Sequence, residues 1–336
     1  MRALLVGTGA VGTRSARQLL SSSLVSELIV FSRPGHALRR PNAIGSPEMV
    51  KAEELAPKAY ELALSGASFV ILAAPRLGAG LARAAIDAGV PLVSVSDDPA
   101  DVRALLALND VAARRGVPVV AGAGMAPGLS CLFASWAVAG LEEVMEVHVA
   151  TLGTGGPACA RRRHAALGEV VEEWSDGAWV RKVGGSGREL VWFPDGPSAD
   201  CYRVNRPDAT LLVRAFPSLR RATSRAAASR RDRTTSWLPM LRRPHPEGTV
   251  GAVRVDVRGR RAGVAQSVVI GASGRPAVLA GIVAASLALK AAQGELIAGA
   301  GGVGSLVKRP GELLAELASH GLRAMKFEGA HATAPW

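Results

Sequence analysis

A glycine-rich turn near the N-terminus has the residue types and spacing that bind the phosphates of a dinucleotide. It consists of Gly7, Thr8, Gly9, Ala10, Val11 and Gly12, and it follows the mostly apolar residues 1–6. Gly7 permits the tight turn, Gly9 leaves room for a pyrophosphate, and Gly12 lets the following helix lie close to the strand. The phosphates would bind at the helix N-terminus, where backbone N–H groups point outward. The alternative interpretation is an ordinary strand–turn–helix connection without a ligand.

The end of the second predicted strand indicates which dinucleotide is preferred. This strand covers residues 27–31 and is followed by Ser32 and Arg33. An NAD site usually places a carboxylate about 20 residues beyond the glycines, where it would repel a 2′-phosphate. Ser32 and Arg33 instead offer a hydroxyl and a guanidinium, which bind a phosphate through charge-assisted hydrogen bonds. The sequence therefore predicts NADP(H), with Arg33 as a solvated loop residue as the alternative.

Small residues and carboxylates follow two later predicted strands, at the sheet edge where such folds bind ligands. Ala73, Ala74 and Pro75 are small enough to let the ribose and nicotinamide of a cofactor pass. Asp97 and Asp98 end another strand. Asp97 is a candidate for proton transfer, whereas Asp98, which precedes a proline, is predicted to cap the next helix.

A turn rich in glycine and proline precedes an apolar helix at 129–139. It contains Met125, Pro127 and Gly128. Proline suits the first turn of a helix, and the backbone N–H groups that follow could receive a substrate carboxylate. These three residues are therefore candidate substrate-binding residues, and a rigid domain-crossing turn is the alternative interpretation.

Histidine is the side chain most easily set to donate a proton near neutral pH. His164 and His148 are candidate catalytic acids, and the alternatives are Asp97, Asp98, Tyr202 or a water molecule. A lone histidine is also compatible with a purely structural role. The histidines show no metal-ligand spacing such as HExxH, and the three cysteines are widely spaced. We therefore expect no metal site.

Strands alternate with helices over the first part of the chain, which is typical of a doubly wound parallel sheet. Shorter alternating segments follow, and apolar helices come last. The predicted fold class is α/β, a Rossmann doubly wound parallel sheet with a second, inserted α+β mixed-sheet domain. The predicted boundaries are 1–140 for the dinucleotide-binding domain and 141–273 for the sheet domain, with C-terminal helices over 274–336 returning to the nucleotide domain. Within this scheme we expect a helix over 47–64 and a hairpin turn at 258–260.

The formal net charge of +12 makes nucleic acid a partner to consider, but much of the charge is local. Residues 214–243 contain nine arginines against the single acid Asp232. This segment is predicted to be a solvated basic loop, an anion-binding site or, least favoured, a nucleic-acid contact, because it has no base-reading signature. The start of the chain lacks a signal-peptide pattern, and the apolar stretch 276–289 is shorter than the roughly 20 residues that span a bilayer. We expect a soluble, cytoplasmic protein without a membrane partner.

Several segments, taken in this order, resemble the saccharopine dehydrogenase-like oxidoreductases, a family that includes saccharopine reductases and carboxynorspermidine and homospermidine synthases. The matching segments are the GTGAVG turn, the helix end 84–90, the strand end 94–98, the turn 121–130, the glycines at 301–304 and the helix 310–322. The resemblance implies NAD(P)-dependent chemistry at a carbon–nitrogen bond, a substrate and dimerisation domain, and Met125, Pro127 and Gly128 beside the nicotinamide. Ala126 stands where amino-acid-processing members often have aspartate, which argues against a saccharopine-type substrate.

The predicted function is that of an NADP(H)-dependent oxidoreductase that acts on a C=N or C=O bond of a small substrate, carboxylate-bearing compounds included. Two alternatives stay open: a non-enzymatic NADP(H)-binding regulator, and a reductase of an activated C=C bond. We expect a homodimer by analogy with the family, and nucleic acid is not an expected partner.

Overall fold

The computed structural model describes residues 1–32, 49–74, 77–194, 198–240 and 243–328. The chain divides into two units. The first unit comprises Met1–Gly124 and Ala277–Lys308, and the second comprises Met125–Pro276 and Arg309–Trp336. Arg33 and Pro75, two of the predicted cofactor-binding residues, lie outside the described residues.

The strands occur in both units. They are β1 (Arg2–Val6), β2 (Glu27–Ser32), β3 (Val50–Glu54), β4 (Phe69–Leu72), β5 (Leu92–Ser94), β6 (Pro118–Ala121), β7 (Glu143–Leu152), β8 (Val170–Ser175), β9 (Ala178–Val183), β10 (Glu189–Trp192), β11 (Ser198–Arg203), β12 (Arg221–Ala227), β13 (Gly251–Arg261), β14 (Val264–Gly274), β15 (Gly299–Gly301) and β16 (Ala324–Glu328).

The helices connect these strands. They are α1 (Ala10–Leu20), α2 (Pro57–Leu64), α3 (Gly78–Asp87), α4 (Pro99–Leu106), α5 (Asn109–Arg114), α6 (Leu129–Val138), α7 (Pro157–Ala166), α8 (Asp208–Ala215), α9 (Arg230–Thr234), α10 (Pro276–Ala292), α11 (Val303–Leu306) and α12 (Pro310–Ser319). Among the described residues, no helix has the length and apolar character needed to cross a membrane.

The described residues of the first unit form a seven-stranded sheet in the order β15-β6-β5-β4-β1-β2-β3. All of its strand pairs are parallel. Residues such as Leu4, Leu5 and Ile71 are fully buried, because helices cover both faces of a parallel sheet and its strands become continuous apolar runs. The strand order changes direction between β1 and β4, which makes the carboxyl edge of this pair the topological switch point. The predicted doubly wound parallel sheet is confirmed.

The second unit contains a mixed sheet whose main path is β10-β11-β12-β7-β13-β14-β16, with β8 paired to β12 and β9 paired to β8. β7 and β12 run parallel, whereas the other pairs are antiparallel. Buried small and branched residues of β7, β12 and β13, such as Val147, Ala226 and Val255, form the centre of its core. The predicted second, mixed sheet is also confirmed.

The two units divide the chain differently from the predicted boundaries at 140 and 273. α6 belongs to the second unit because it packs against β13, β14 and α8. The segment after Lys308 also belongs there, since α12 packs on α6 and β16 pairs with β14. Of the C-terminal segment, it is Ala277–Lys308 that returns to the first unit, with α10, β15 and α11.

The helix expected over 47–64 is wrong in its first half. Residues 47 and 48 lie outside the described residues, and Val50–Glu54 form the parallel edge strand β3 beside β2. Four of its five residues are exposed. β3 has no apolar alternation, and its Lys, Ala and Glu residues locally favour a helix. Pairing with β2 overrides this local preference for a helix.

Two expectations for the second unit are also wrong. The basic segment 214–243 is not a loop, because Arg221–Ala227 form β12, an interior strand that pairs with β7, β8 and β11. The hairpin turn expected at 258–260 lies later in the chain. β13 continues to Arg261, and Ala262 and Gly263, both with positive φ, form the two-residue turn to β14. β12 consists of three alanines, two arginines, Thr223 and Ser224, and it lacks the apolar alternation by which strands are recognised.

Candidate functional site

The glycine turn lies at the carboxyl end of β1, at the switch point of the first sheet. Gly7 has φ +103°, and its N–H donates to Phe31 O at 2.9 Å. A Cβ on Gly7 would lie 2.7 Å from Ala73 O, and a Cβ on Gly12 would lie 2.1 Å from Gly7 O. These two glycines are therefore required by the close packing of α1 and β4 against the turn.

Gly9 differs from Gly7 and Gly12 because, among the described residues, a Cβ at this position would meet no atom within 4 Å. Close packing of the described residues therefore gives no reason for a glycine here, whereas the approach of a ligand to the backbone does. Gly9 is the N-cap of α1, and among the described residues no side chain accepts a hydrogen bond from this helix terminus. The first turn of α1 contains no acid. The N–H groups of Ala10, Val11 and Gly12 are thus suited to an anion.

The remaining motif residues complete this edge of the sheet. The backbone oxygen of Thr8 accepts a hydrogen bond from Thr13 Oγ1 at 3.4 Å, which ties the turn to α1. Ala73 N donates to Val6 O at 2.8 Å, so Ala73 and the following Ala74 lie beside the glycine turn. The structure thus brings the predicted residues 7–12 and 73–74 together at the carboxyl ends of β1 and β4.

Ser32 ends β2 and is buried, and its hydroxyl donates to Glu53 O at 3.5 Å. In the register of β2 and β3, Ser32 is opposite Glu54. The sequence interpretation did not foresee this carboxylate near the end of β2, because β3 was expected to be helical.

Asp97 and Asp98 lie half-buried between β5 and α4 in the first unit. Asp98 Oδ1 accepts a hydrogen bond from Ala100 N at 2.8 Å, which confirms it as the cap of α4. Asp97 lies one strand away from Ala73 and Ala74, since β5 pairs with β4.

The predicted substrate-binding turn, Met125–Gly128, belongs to the second unit. Met125 is buried, the Ala126–Pro127 peptide bond is cis, and Gly128 has φ +127°. Gly128 is the N-cap of α6, and among the described residues no side chain caps this helix terminus either. The turn is joined to α6 by the hydrogen bond from Ser130 N to Met125 O, at 3.1 Å.

His148 lies on β7, where both ring nitrogens have partners. Nε2 donates to Glu146 Oε2 at 2.9 Å, and Nδ1 lies 2.8 Å from Thr223 Oγ1. Arg258 Nη1 also donates to Glu146, at 3.3 Å. The hydrogen bond from His148 and the nearby cations of Arg258 and Arg221 lower the pKa of Glu146, although partial burial opposes them. These contacts form a cross-strand polar network on the mixed sheet.

We predict that this network stabilises the fold only while Glu146 is charged. A carboxyl whose pKa is lowered on folding contributes stability above its unfolded pKa, and that stability is lost as the pH falls through the folded pKa. The free energy of unfolding of Glu146→Gln should therefore be below that of the wild type near neutral pH, and the difference should shrink below about pH 4.5. Urea unfolding at several pH values measures it, and a difference that stays constant with pH would contradict the prediction.

His164 lies on α7 and is 95% removed from solvent. Its Nε2 donates to Thr235 O at 2.9 Å, while Nδ1 is buried without a partner among the described residues. Among these residues, neither His148 nor His164 makes a hydrogen bond to the Met125–Gly128 turn. The ring contacts of both histidines lead instead to other residues of the second unit, from His148 to Glu146 and Thr223 and from His164 to Thr235. No group of three or more metal-ligating side chains occurs among the described residues either.

Two polar side chains that the sequence interpretation did not single out lie near the start of α8. Asp208 is fully buried, and Oδ1 accepts a hydrogen bond from Ser130 Oγ at 2.7 Å. Arg206 donates from Nη1 to Thr151 Oγ1 at 2.9 Å, and among the described residues no carboxylate lies within ion-pair distance of it. Asp208 follows Pro207 at the start of α8, where the helix dipole favours a negative charge even on an exposed side chain. No local signal in the sequence therefore predicts that Asp208 is buried.

Two solved structures resemble the whole chain. One is the apo form of saccharopine dehydrogenase (L-Glu forming) from Saccharomyces cerevisiae, with a TM-score of 0.71 and 14% identity over 97% of this chain and 99% of that chain. The other is homospermidine synthase from Legionella pneumophila in complex with NAD, with a TM-score of 0.72 and 13% identity over 98% and 91%. The chain shares the fold of these proteins. No family model and no curated protein matches the sequence.

Proposed function

We propose that the chain is an NADP(H)-dependent oxidoreductase of saccharopine dehydrogenase-like type. It transfers hydride to or from a C=N or C=O bond of a small substrate, carboxylate-bearing compounds included. The observation that carries this proposal is Gly9, which is open to solvent space at the uncapped N-terminus of α1 and at the switch point of the sheet. The fold shared with saccharopine dehydrogenase and homospermidine synthase supports it.

The residues of the first unit fit a nicotinamide dinucleotide. The N–H groups at the start of α1 hold the pyrophosphate, and the small Ala73 and Ala74 leave space for the ribose and nicotinamide. When bound, the cofactor supplies or accepts the hydride. The protein supplies orientation and charge. We propose Asp97 as the proton-transfer residue of this unit, because it follows β5, the strand that pairs with β4 and thus neighbours Ala73. His148 and His164 are less favoured, because their rings already hydrogen-bond Glu146 and the backbone oxygen of Thr235.

The second unit fits a carboxylate. Gly128, at the start of α6, has no side-chain cap among the described residues, and the guanidinium of Arg206 hydrogen-bonds Thr151 and attracts the Asp208 carboxylate without a described ion pair. Both features attract an anion. We propose that this unit holds the substrate and that two copies of the chain associate through its mixed sheet.

We propose that Arg33 and Ser32 bind the 2′-phosphate and so give the site its preference for NADP(H). We expect Arg33→Ala to weaken NADPH binding about tenfold and to leave NADH binding unchanged, because only NADPH carries the 2′-phosphate. Arg115→Ala is the matched control, since Arg115 is exposed and precedes β6 at the opposite, amino edge of the sheet. Parallel calorimetric titrations measure both affinities. Equal losses for the two nucleotides would contradict the assignment, because NADH has no 2′-phosphate for Arg33 to bind.

The reaction is tested with the full-length protein and NADPH. Imines formed from 2-oxo acids and amines, simple ketones and enoyl acids are supplied as acceptors, and the loss of NADPH absorbance is followed. The proposal predicts turnover with an imine or a ketone and faster turnover when the acceptor carries a carboxylate. Turnover with enoyl acids alone would contradict the assigned bond type, and NADPH binding without turnover of any acceptor would favour a regulator.

A further inference from the structure

The carboxylate of Asp208 is a buried charge that the proposed chemistry does not use. No part of its residue is exposed to solvent. Transfer of a carboxylate from water to a protein interior is costly unless hydrogen bonds and opposite charges compensate. The contacts of this carboxylate therefore indicate what it does.

The contacts join three elements of the second unit. Oδ1 accepts a hydrogen bond from Ser130 Oγ, in the first turn of α6, at 2.7 Å. Oδ2 accepts a longer one from Ser224 Oγ, on β12, at 3.5 Å. Asp208 itself lies in the first turn of α8, where the helix dipole favours a negative charge. The short bond is the stronger of the two and leads to α6.

Ser130 connects this carboxylate to the predicted substrate turn. Its hydroxyl donates to Asp208, while its backbone N–H donates to Met125 O at 3.1 Å. Ser130 is itself fully buried, so water cannot replace either partner. The path from Asp208 to the start of the Met125–Gly128 turn thus consists of one residue and two hydrogen bonds.

We propose that Asp208 is a positioning residue that fixes the Met125–Gly128 turn through Ser130, an inference that rests on the substrate-binding role proposed for that turn. Burial raises the pKa of Asp208, whereas attraction by Arg206 and the hydrogen bonds from Ser130 and Ser224 oppose this rise. The hydrogen-bond acceptor, rather than the charge, is what Ser130 requires. An amide oxygen at position 208 can serve the same purpose.

Amide hydrogen exchange of the full chain tests this inference without a known substrate. Asp208→Ala and Ser130→Ala each remove the short hydrogen bond, and each is expected to speed exchange over residues 125–132 at least about tenfold. Asp208→Asn keeps an acceptor for Ser130 and should restore the wild-type rate. Ser224→Ala is the matched control, because it removes a buried serine hydroxyl whose contact with Asp208 is long.

Two results would overturn the inference. One is faster exchange throughout the second unit in Asp208→Ala and Ser130→Ala, which would give Asp208 a general stabilising role. The other is an Asp208→Asn protein that exchanges as fast over 125–132 as Asp208→Ala, because the charge and not the hydrogen bond would then matter. Ser130→Ala keeps the test valid if Asp208→Ala does not fold.

A nucleotide titration of the same proteins separates this inference from the proposed function. All four variants should bind NADPH as the wild type does, since the glycine turn belongs to the other unit. A wild type that binds no nucleotide would refute the proposed function even if the exchange pattern holds. Once an accepted substrate is known, a positioning role predicts a higher KM for Asp208→Ala, with recovery in Asp208→Asn.

Discussion

Replacement of Gly9 by aspartate is expected to reduce nucleotide affinity at least about 100-fold while leaving the folded protein at least as stable as the wild type. A Cβ at Gly9 meets no atom within 4 Å in the described part of the chain, and the backbone there (φ −69°, ψ −178°) is extended, as an N-cap residue requires. Aspartate is a better N-cap than glycine. In the same position its carboxylate occupies the N–H groups that should hold the pyrophosphate and repels the phosphates.

Two further variants make this result interpretable. Gly9→Asn has nearly the same shape and capping ability without the charge, so it should bind nucleotide more tightly than Gly9→Asp and less tightly than the wild type. Gly140→Ala, an exposed glycine with only ordinary contact for a Cβ, should bind like the wild type. Calorimetric titration and thermal unfolding measure the two properties. Unchanged affinity in Gly9→Asp would mean that this turn does not bind phosphates.

Replacement of Gly12 by alanine is expected, in contrast, to destabilise the fold, with a loss of about 3 kcal/mol in the free energy of unfolding. The new Cβ would lie 2.1 Å from Gly7 O and 3.3 Å from the Cβ of Ala73. Backbone atoms cannot move aside as a flexible side chain can, so α1 must separate from β1. Nucleotide binding should fall as a consequence of this displacement.

Gly80→Ala provides the control for the stability measurement. Gly80 lies in α3, and a Cβ there meets no atom of the described residues within 4 Å. Alanine should therefore stabilise the protein by about 0.5 to 1 kcal/mol, since it restricts the unfolded chain and favours the helix. Urea unfolding compares the variants. A Gly12→Ala protein as stable as Gly80→Ala would contradict the close packing between α1 and the turn.

The sequence predicted the first sheet well because its strands are covered on both faces. Segments such as 69–72 are continuous apolar runs between helical stretches, and this pattern has few other solutions. The mixed sheet was predicted less completely. β12 is rich in alanine and arginine, and its pairing with β7 and β11 rather than its own composition makes it a strand. The edge strand β3 was missed for a related reason, since its side chains are mostly exposed.

The candidate site was only partly predictable. The glycine spacing at 7–12 is a local property of the chain, and close packing requires a glycine at Gly7 and at Gly12. Asp208 meets Ser130 across 78 positions of sequence. Such a contact depends on how α6, α8 and β12 pack, and no local pattern around either residue indicates it. His164 shows how a local pattern can mislead. Its residue type and its position after three arginines indicate a catalytic acid, but its ring donates a hydrogen bond to the backbone oxygen of Thr235.

Nucleotide binding by the wild-type chain tests the central claim most directly. Calorimetric titrations with NADPH and with NADH, carried out in parallel on the full-length protein, measure it without knowledge of the substrate. Both nucleotides are expected to bind, and NADPH is expected to bind about tenfold more tightly. If neither nucleotide binds, the open space at Gly9 does not serve a cofactor and the proposed oxidoreductase function is refuted.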